Sequence, residues 1–553
     1  LGYDWERYCR EQNGFEGRTP ETKNTPSKEF ERNFVGVKCV RMLPRFYEAK
    51  NVEFVNEHLK HFCEKYYQSI HIPTNVWRMV DLSIEKSYEE TARFFEQKPT
   101  KINQNDFDLA FALAVKHVFP YFRECGELTA EECIEKVDNN TSPGYYFNRK
   151  FPTFGDLKKD YNVLRDVAEY AKSLDGDSPL PDVYLNSLKR ELRKKGKAPR
   201  TFMAGPKRTQ ILKMKYFYQQ NQSMVKNHRH MWPKVGMSEM HGGFEELYYK
   251  LKNKAGTVDP WFWDSDATKW DGSVPPQLLD AVLYLRLACM PESVRKDRVK
   301  MKRIWRLHLA SLYGFILMEN GEVVQKPRGV ASGDANTIFD NSLAHLMVAY
   351  YALVRMLPKE WRVKETDEIY VLIHSAVEMA FMGDDNLGAV DREKFPWFSE
   401  TVMEEAYNDF GILLKRVSAG KNLFDREFLS AKFTFVNFDG SSRICALHDR
   451  EKMLCQLYYG NSDTHPKVLL ERSLAIEKVA WPDPVLRDLL RTFNEWFFRV
   501  FDKTLRAEME DMPSFSALQA QRMTPQEIGF IHCGAGLKET AQESVISGVV
   551  YST

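Results

Sequence analysis

At 553 residues with 43% hydrophobic side chains, the chain is too long for one ordinary domain and apolar enough for several lobes around a large core. No apolar run reaches the roughly eighteen residues of a membrane span, because residues 344–357 are interrupted by His345 and Arg355, so a soluble chain with no membrane span is expected. Nine cysteines without a C-x-x-C pair argue against a disulfide framework or zinc site and fit reduced thiols in a cytosol-like compartment. No signal-peptide pattern is visible, and a start at Leu1 rather than Met leaves N-terminal truncation or processing open.

Residues 1–257 carry mostly amphipathic helical patterns broken by Pro and Gly. Within them Asn-Thr-Ser-Pro-Gly-Tyr (140–145) is a small loop in which Ser142 and Gly144 can bring backbone close to a phosphate; an ordinary turn is the alternative. Residues 189–208 hold nine Lys or Arg against the single acid Glu191, so the formal net charge of +1 hides a concentrated basic stretch. Cations gathered over one loop suit a channel for a polyanion, with acidic outer surfaces restoring the balance. A solvated basic hairpin is the competing reading.

An aromatic, strand-like run, Trp-Phe-Trp-Asp-Ser-Asp (261–266), then leads to Asp266, four intervening residues and Asp271. Asp266 could cap a helix beginning near Ala267, with Asp271 on a solvated face. Residues 295–306 hold seven basic residues against Asp297, at a helical spacing that reads as a solvated face without a site. In Arg-Gly-Val-Ala-Ser-Gly-Asp-Ala-Asn-Thr-Ile-Phe-Asp-Asn (328–341), Ser332-Gly333 precedes Thr337 and Asn341. Gly333 permits a backbone turn close to a nucleic acid, and Thr337 and Asn341 fall four apart on one helix face. Last comes Gly383-Asp384-Asp385, at the tip of an apolar hairpin over 377–390. Adjacent carboxylates repel unless a divalent cation sits between them, and magnesium prefers such oxygen ligands. A strand carrying Asp266 beside this hairpin would form a cage for two metal ions.

The ordered triple Asp-x4-Asp, Ser-Gly-x3-Thr-x3-Asn and Gly-Asp-Asp resembles palm motifs A, B and C of viral RNA-dependent RNA polymerases. That resemblance implies an α+β right hand. Its parts would be an N-terminal region and fingers (1–257), palm with motif A (258–277), a fingers return (278–328), palm with motifs B to E (329–435), thumb (436–505) and a C-terminal segment (506–553). It makes Asp266, Asp384 and Asp385 the ligands of two Mg2+ ions, with Mn2+ as a substitute, and makes Asp271, Ser332, Thr337 and Asn341 nucleotide contacts. Residues 189–208 resemble motif F, with Arg200 as triphosphate ligand and Lys189, Arg193 and Lys197 as helpers. The 140–145 loop is similar to motif G, against the template, so Ser142, Gly144 and Gly333 are RNA contacts. Lys415, after Phe410-Gly411, resembles the motif D lysine that protonates pyrophosphate and is preferred over Lys421. Phe428-Leu429-Ser430 with Lys432 resembles motif E at the primer end, an ordinary core strand being the alternative.

The implied activity is RNA-directed ribonucleotidyl transfer for replication and transcription of a viral RNA genome, with template and product RNA, ribonucleoside triphosphates and a viral capsid protein as partners. The implied setting is the virion interior and host cytoplasm. The size and the Gly-Asp-Asp-Asn turn look like polymerases of small bisegmented double-stranded RNA viruses, picobirnaviruses first and partitiviruses next. Phe381-Met382 before the glycine fits a reverse transcriptase less well, since those carry Tyr-x-Asp-Asp. A catalytically silent RNA-binding or capsid-associated scaffold is the alternative class. Apolar residues Ile528, Phe530, Ile531, Val545, Ile546, Val549 and Val550 favour a docked C-terminal tail, either in the product channel or on the outside of the thumb.

Overall fold

The computed structural model describes residues 2–13, 39–45, 53–96, 98–460, 465–508 and 522–533. Its mechanical centre is the helix Thr337–Met356, of whose 20 residues 16 are buried. A helix apolar on every side has no solvent face to offer and sinks into a core. Helices Gln104–Phe122 and Glu400–Asp409 and the strand Val377–Met382 pack around it. Both polar interruptions of this run find partners: Arg355 bonds Asp409 at 2.6 Å, and His345 is hydrogen-bonded through both ring nitrogens.

Against this helix lies a four-stranded antiparallel sheet in the order Val377–Met382, Asp385–Asp391, Pro260–Ala267, Leu414–Gly420. Its inner strands are nearly continuous apolar runs because both faces are covered; helix Gly243–Ala255 closes the second face. Met382 pairs with Asp385, so Gly383 and Asp384 form the two-residue turn, and Gly383 takes the positive φ (66°) that glycine adopts freely. The expected strand carrying Asp266 beside a hairpin carrying Asp384 is therefore present. Helical capping by Asp266 is not, because the strand runs on to Ala267 and the next helix, Trp270–Ser273, starts after Lys269.

A five-stranded sheet orders Cys39–Met42, Glu322–Gln325, Phe315–Leu317, Val183–Lys189 and Arg200–Ala204. The basic stretch lies on its edge strand and on the turn before it, where Leu192–Lys194 pairs with Trp77–Met79. Helices Arg450–Tyr458, Pro466–Ala480 and Pro484–Glu508 share a core with Glu57–Tyr66 from the other end of the chain. The mixture of helices and mainly antiparallel sheets agrees with the expected α+β class.

In the basic run 295–306, Arg295, Lys296, Arg298 and Lys302 are exposed, as a solvated face requires, but Lys300, Arg303 and Arg306 are engaged with distant residues. On helix Arg298–Leu312, Arg303 grips Asp175 through two bonds (2.7 and 2.5 Å), Arg306 bonds the Leu174 carbonyl, and Lys300 bonds Glu127. Helical spacing alone could not reveal acids more than 120 residues away. At the C-terminus, helix Pro525–Cys533 docks on the hairpin Ala431–Phe438/Ser441–His448 and on Trp481, burying Ile528 and Cys533. Residues 534–553, with Val545, Ile546, Val549 and Val550, lie outside the described residues.

Gly388 faces Trp263 across the central strand pair, and a Cβ there would meet the indole at 2.1 Å. Gly388→Ala is expected to cost about 1–3 kcal/mol by overpacking, read as a lower midpoint in thermal or urea unfolding. Gly440→Ala, in open space at a positive φ of 73°, should cost less.

Candidate active site

Three segments deliver carboxylates to one end of the central sheet. Asn386 pairs with Ser265, so Asp385 and Asp266 end adjacent strands, with Asp384 on the turn between. The register is locked by Asn386 Nδ2, which donates to Ser265 Oγ at 2.5 Å. Asp384 and Asp385 are exposed yet crowded by protein on most sides, the situation of a concave surface. Partial desolvation, then Asp271 and Asp266, raise Asp384 to about 6 against the pull of Lys415. Desolvation, then Asp384, Asp266, Glu427 and Asp264, raise Asp385 to about 7.

Asp266 is ion-paired with Lys415 at 3.2 Å, so the lysine preferred from sequence reaches the carboxylate cluster. Lys421 instead bonds Asp259, 2.9 Å away, at the opposite end of the strand. Among the described residues, no three His, Cys, Asp or Glu side chains converge as a closed metal cage. The chemistry of the donor set nevertheless fits hard divalent ions: carboxylate oxygens gathered at one edge, with Asp385 raised by burial and by four like charges. The Asp266 side chain, 56% exposed, is free to swing from Lys415 toward such an ion.

Beside this edge, Asn341 Nδ2 donates to Asp271 Oδ1 at 2.9 Å, while Asn341 Oδ1 is buried without a hydrogen-bond partner among the described residues. Desolvation raises the Asp271 carboxyl; Arg93 and the Asn341 bond oppose it. Asp271 thus sits in a polar pocket, not on a solvated face. The other polar residues of the 328–341 segment are used within the protein. Ser332 Oγ accepts from Met203 N at 3.0 Å, and Thr337 Oγ1 donates to the carbonyls of Ala331 and Asp334, both at 2.8 Å.

The glycines expected to approach nucleic acid are packed closely on other backbone where a Cβ would stand. A Cβ on Gly144 would lie 2.9 Å from Gly205 O, one on Gly205 would lie 2.9 Å from Gly333 O, and one on Gly333 would lie 1.6 Å from Met203 O. The 140–145 loop, the basic edge strand and the 328–337 loop are therefore stacked backbone on backbone. Ser142 Oγ accepts from Gly144 N at 3.2 Å within its own loop.

On the basic strand, Arg200 forms a two-bond pair with Glu191, both contacts 2.6 Å, on an exposed side chain. Glu191, then Asp384 and Asp271, raise its guanidinium against the effect of burial. Lys189 and Arg193 lie 3.9 Å from the same Glu191, and Arg193 also bonds the Ala198 carbonyl at 2.6 Å. Lys197 is exposed on the turn before the strand, and Lys432 is exposed opposite Glu427. Sequence reading missed Arg93, the counter-ion role of Glu191, and two residues that hold the turn, Ser342 and His345. Asn341-Ser342 and His345 stand at helical spacing beside Asn341, a faint signal; Arg93 carries none.

Residues 53–497 match the family of viral RNA-dependent RNA polymerases. This chain belongs to that family. The family implies the right-hand polymerase fold, and its members generally use divalent metal ions and bind RNA and nucleotides. Similar proteins include the genome polyproteins of Bean yellow mosaic virus (27% identical over 384 residues, 68% of this chain and 12% of that protein) and Zucchini yellow mosaic virus, Reunion Island strain (26% over 421 residues, 73% and 12%). That of Tobacco vein mottling virus is 34% identical over 179 residues, 32% of this chain and 6% of that protein. The chain thus spans about an eighth or less of the length of these relatives. They are potyvirus proteins, not picobirnavirus or partitivirus ones, and a capsid partner finds no support in them. Among the described residues no helix is long and apolar enough to cross a membrane.

Because the folded-state values of Asp384 and Asp385 lie above those of an unfolded chain, the folded protein holds more protons at intermediate pH. Stability without divalent ions should therefore fall as pH rises from about 4 through about 7. Thermal midpoints in chelator should show this decline, Asp385→Asn should flatten it, and added Mg2+ should restore stability at pH 8.

Proposed function

We propose that the chain is an RNA-directed RNA polymerase that extends a growing strand by attack of its 3′-hydroxyl on the α-phosphorus of a ribonucleoside triphosphate, releasing pyrophosphate. The observation that carries this reading is the meeting of Asp266, Asp384 and Asp385 at one sheet edge, beside the Asp271–Asn341 pair. These three aspartates would hold two magnesium ions, or manganese in their place; when bound, such ions activate the attacking hydroxyl and neutralise charge on the leaving pyrophosphate. Positioning and charge neutralisation suffice, so no covalent enzyme intermediate is needed.

The protein's own groups divide the remaining work. Arg200 exchanges Glu191 for the triphosphate, with Lys189 and Arg193 alongside, since a guanidinium binds phosphate through the same paired geometry as a carboxylate. Asn341 Oδ1, a buried acceptor with a vacancy among the described residues, accepts a hydrogen bond from the ribose 2′-hydroxyl while Asp271 fixes the amide. Lys415, freed as Asp266 turns toward the metal, protonates the departing pyrophosphate. Ser142, Gly144 and Gly333 lie on the template path, and Lys432 near the primer end.

Residues 1–257 serve as N-terminal region and fingers, with helix Glu57–Tyr66 joined to the thumb core, 278–328 as fingers return, 258–277 and 329–435 as palm, and 436–505 as thumb, acting in the host cytoplasm and the virion interior. For the virus group, the Gly383–Asn386 turn supports a picobirnavirus-like or partitivirus-like enzyme, but the likeness to potyvirus polyproteins covers far more residues and favours a potyvirus-like one. Docking of Pro525–Cys533 on the 431–448 hairpin and on Trp481 supports a docked C-terminal segment, in the product channel or on the outside of the thumb.

Asp384→Ala should lower nucleotide addition on a primed RNA template at least about a hundredfold while leaving the folded state intact by circular dichroism. Wild-type extension by that variant would refute the metal assignment. Asn341→Ala should reduce the preference for GTP over dGTP about tenfold or more in direct competition, because a site built around a hydroxyl rejects its absence. An unchanged ratio would move sugar selection elsewhere.

A further inference from the structure

The polymerase reading leaves unused a buried histidine that touches all three segments of the site. His345 is wholly buried on helix Thr337–Met356, one turn beyond Asn341. Its ring is sandwiched between Trp270, at 4.7 Å and 24°, and Phe381, at 4.5 Å and 22°. Trp270 precedes Asp271, and Phe381 lies two residues before Gly383. In the ring plane, Nδ1 is 3.0 Å from the Gly383 carbonyl and Nε2 is 2.7 Å from the Tyr407 hydroxyl. The other side of the same residue is also held, because Gly383 N donates to Ser342 Oγ at 2.9 Å.

These partners dictate where the protons are. A carbonyl can only accept, so Nδ1 carries the hydrogen. Nε2 then presents a lone pair, and the Tyr407 hydroxyl must donate to it. Among the described residues no carboxylate is hydrogen-bonded to the ring, whose two nitrogens are taken by Gly383 O and the Tyr407 hydroxyl, so a second proton finds no support there. Tyr407 is buried on helix Glu400–Asp409, and its own carbonyl accepts from Phe410 N and Ile412 N, both at 3.1 Å. Those residues lead into the strand Leu414–Gly420, which carries Lys415.

We infer that His345 and Tyr407 are positioning residues of the catalytic turn: the Tyr407–His345–Gly383 relay sets the direction in which Asp384 and Asp385 leave the hairpin and ties it to the strand bearing Lys415. The inference rests on the polymerase reading for its kinetic consequence, but its proton arrangement and its effect on ion binding stand apart from that reading. The turn needs such a restraint. Gly383 is the most permissive residue in the hairpin, and Asp384 and Asp385 repel each other, so an unheld turn would spread both carboxylates over several directions.

The test uses the full chain in four measurements. With 15N-labelled histidine, the signal lost in His345→Phe should report a neutral ring protonated at Nδ1; a ring protonated at Nε2, or charged at pH 7, overturns the relay. Tyr407→Phe keeps the aromatic ring and deletes only the hydroxyl, so its thermal midpoint should stay within a few degrees of wild type. It should lower kcat for single-nucleotide addition by about tenfold with the nucleotide KM within about twofold, the signature of a misplaced reacting geometry. It should also weaken Mn2+ binding severalfold in calorimetry without RNA. If either kcat or Mn2+ affinity stays at the wild-type value, the positioning role is overturned. His345→Asn, whose amide can reach the Nδ1 position, should retain more activity than His345→Phe; equal loss in the two counts against the Gly383 bond. Should the wild-type chain itself add no nucleotides, the polymerase reading fails, while the histidine spectrum and Mn2+ affinities still decide the relay.

Discussion

Carboxylates that repel one another must be kept at one edge of a sheet, and much of the molecule follows from that requirement. Asp266, Asp384 and Asp385 come from two segments more than 100 residues apart, and four neighbouring acids raise Asp385. Left to themselves, such groups would part. The antiparallel register from Asn386–Ser265 to Asp391–Pro260 holds them in place, together with burial of the helix Thr337–Met356 directly beneath. Close packing makes that helix a rigid reference, and three of its residues reach the site: Asn341 to Asp271, Ser342 to the Gly383 N–H, and His345 to the Gly383 carbonyl. The stored repulsion is released when a divalent ion binds, which is why the arrangement suits metal-dependent phosphoryl chemistry better than a structural role.

The second recurring device is the provisional counter-ion. Lys415 neutralises Asp266, and Glu191 neutralises Arg200, with Lys189 and Arg193 close by. Each pairing keeps a reactive charge satisfied in the free protein, and each involves at least one exposed side chain. Exposed pairs are worth little, so exchanging them for a nucleotide or an ion costs little. The near-zero net charge of the chain is thus compatible with a locally basic path to the site.

The catalytic edge was legible in the sequence because its parts are local patterns. An apolar run into Asp266, a Gly-Asp-Asp turn between apolar strands, and Ser-Gly-x3-Thr-x3-Asn each specify their own geometry, and the structure joins them as expected. What sequence did not disclose depends on partners far along the chain. Nothing around Gly144, Gly205 or Gly333 says that their backbones stack on one another. Ser332 and Thr337 look available for a nucleotide until Met203 N and the carbonyls of Ala331 and Asp334 are seen to engage them. The basic run 295–306 has a solvated pattern, yet two of its arginines, Arg303 and Arg306, clamp residues 174–177. Helix Glu57–Tyr66 gives no sign that it completes the core of helices at the other end of the chain. His345 looked only like a polar flaw in an apolar helix.

The most direct test of the central claim is template-directed synthesis itself. The chain would be incubated with a single-stranded RNA template, four ribonucleoside triphosphates and Mg2+, with and without a primer, and the products sequenced. The account predicts ribonucleotide strands complementary to the template, formed only when the divalent ion is present. Products independent of the template sequence, or no product from folded, Mg2+-loaded protein in either arm, would contradict it.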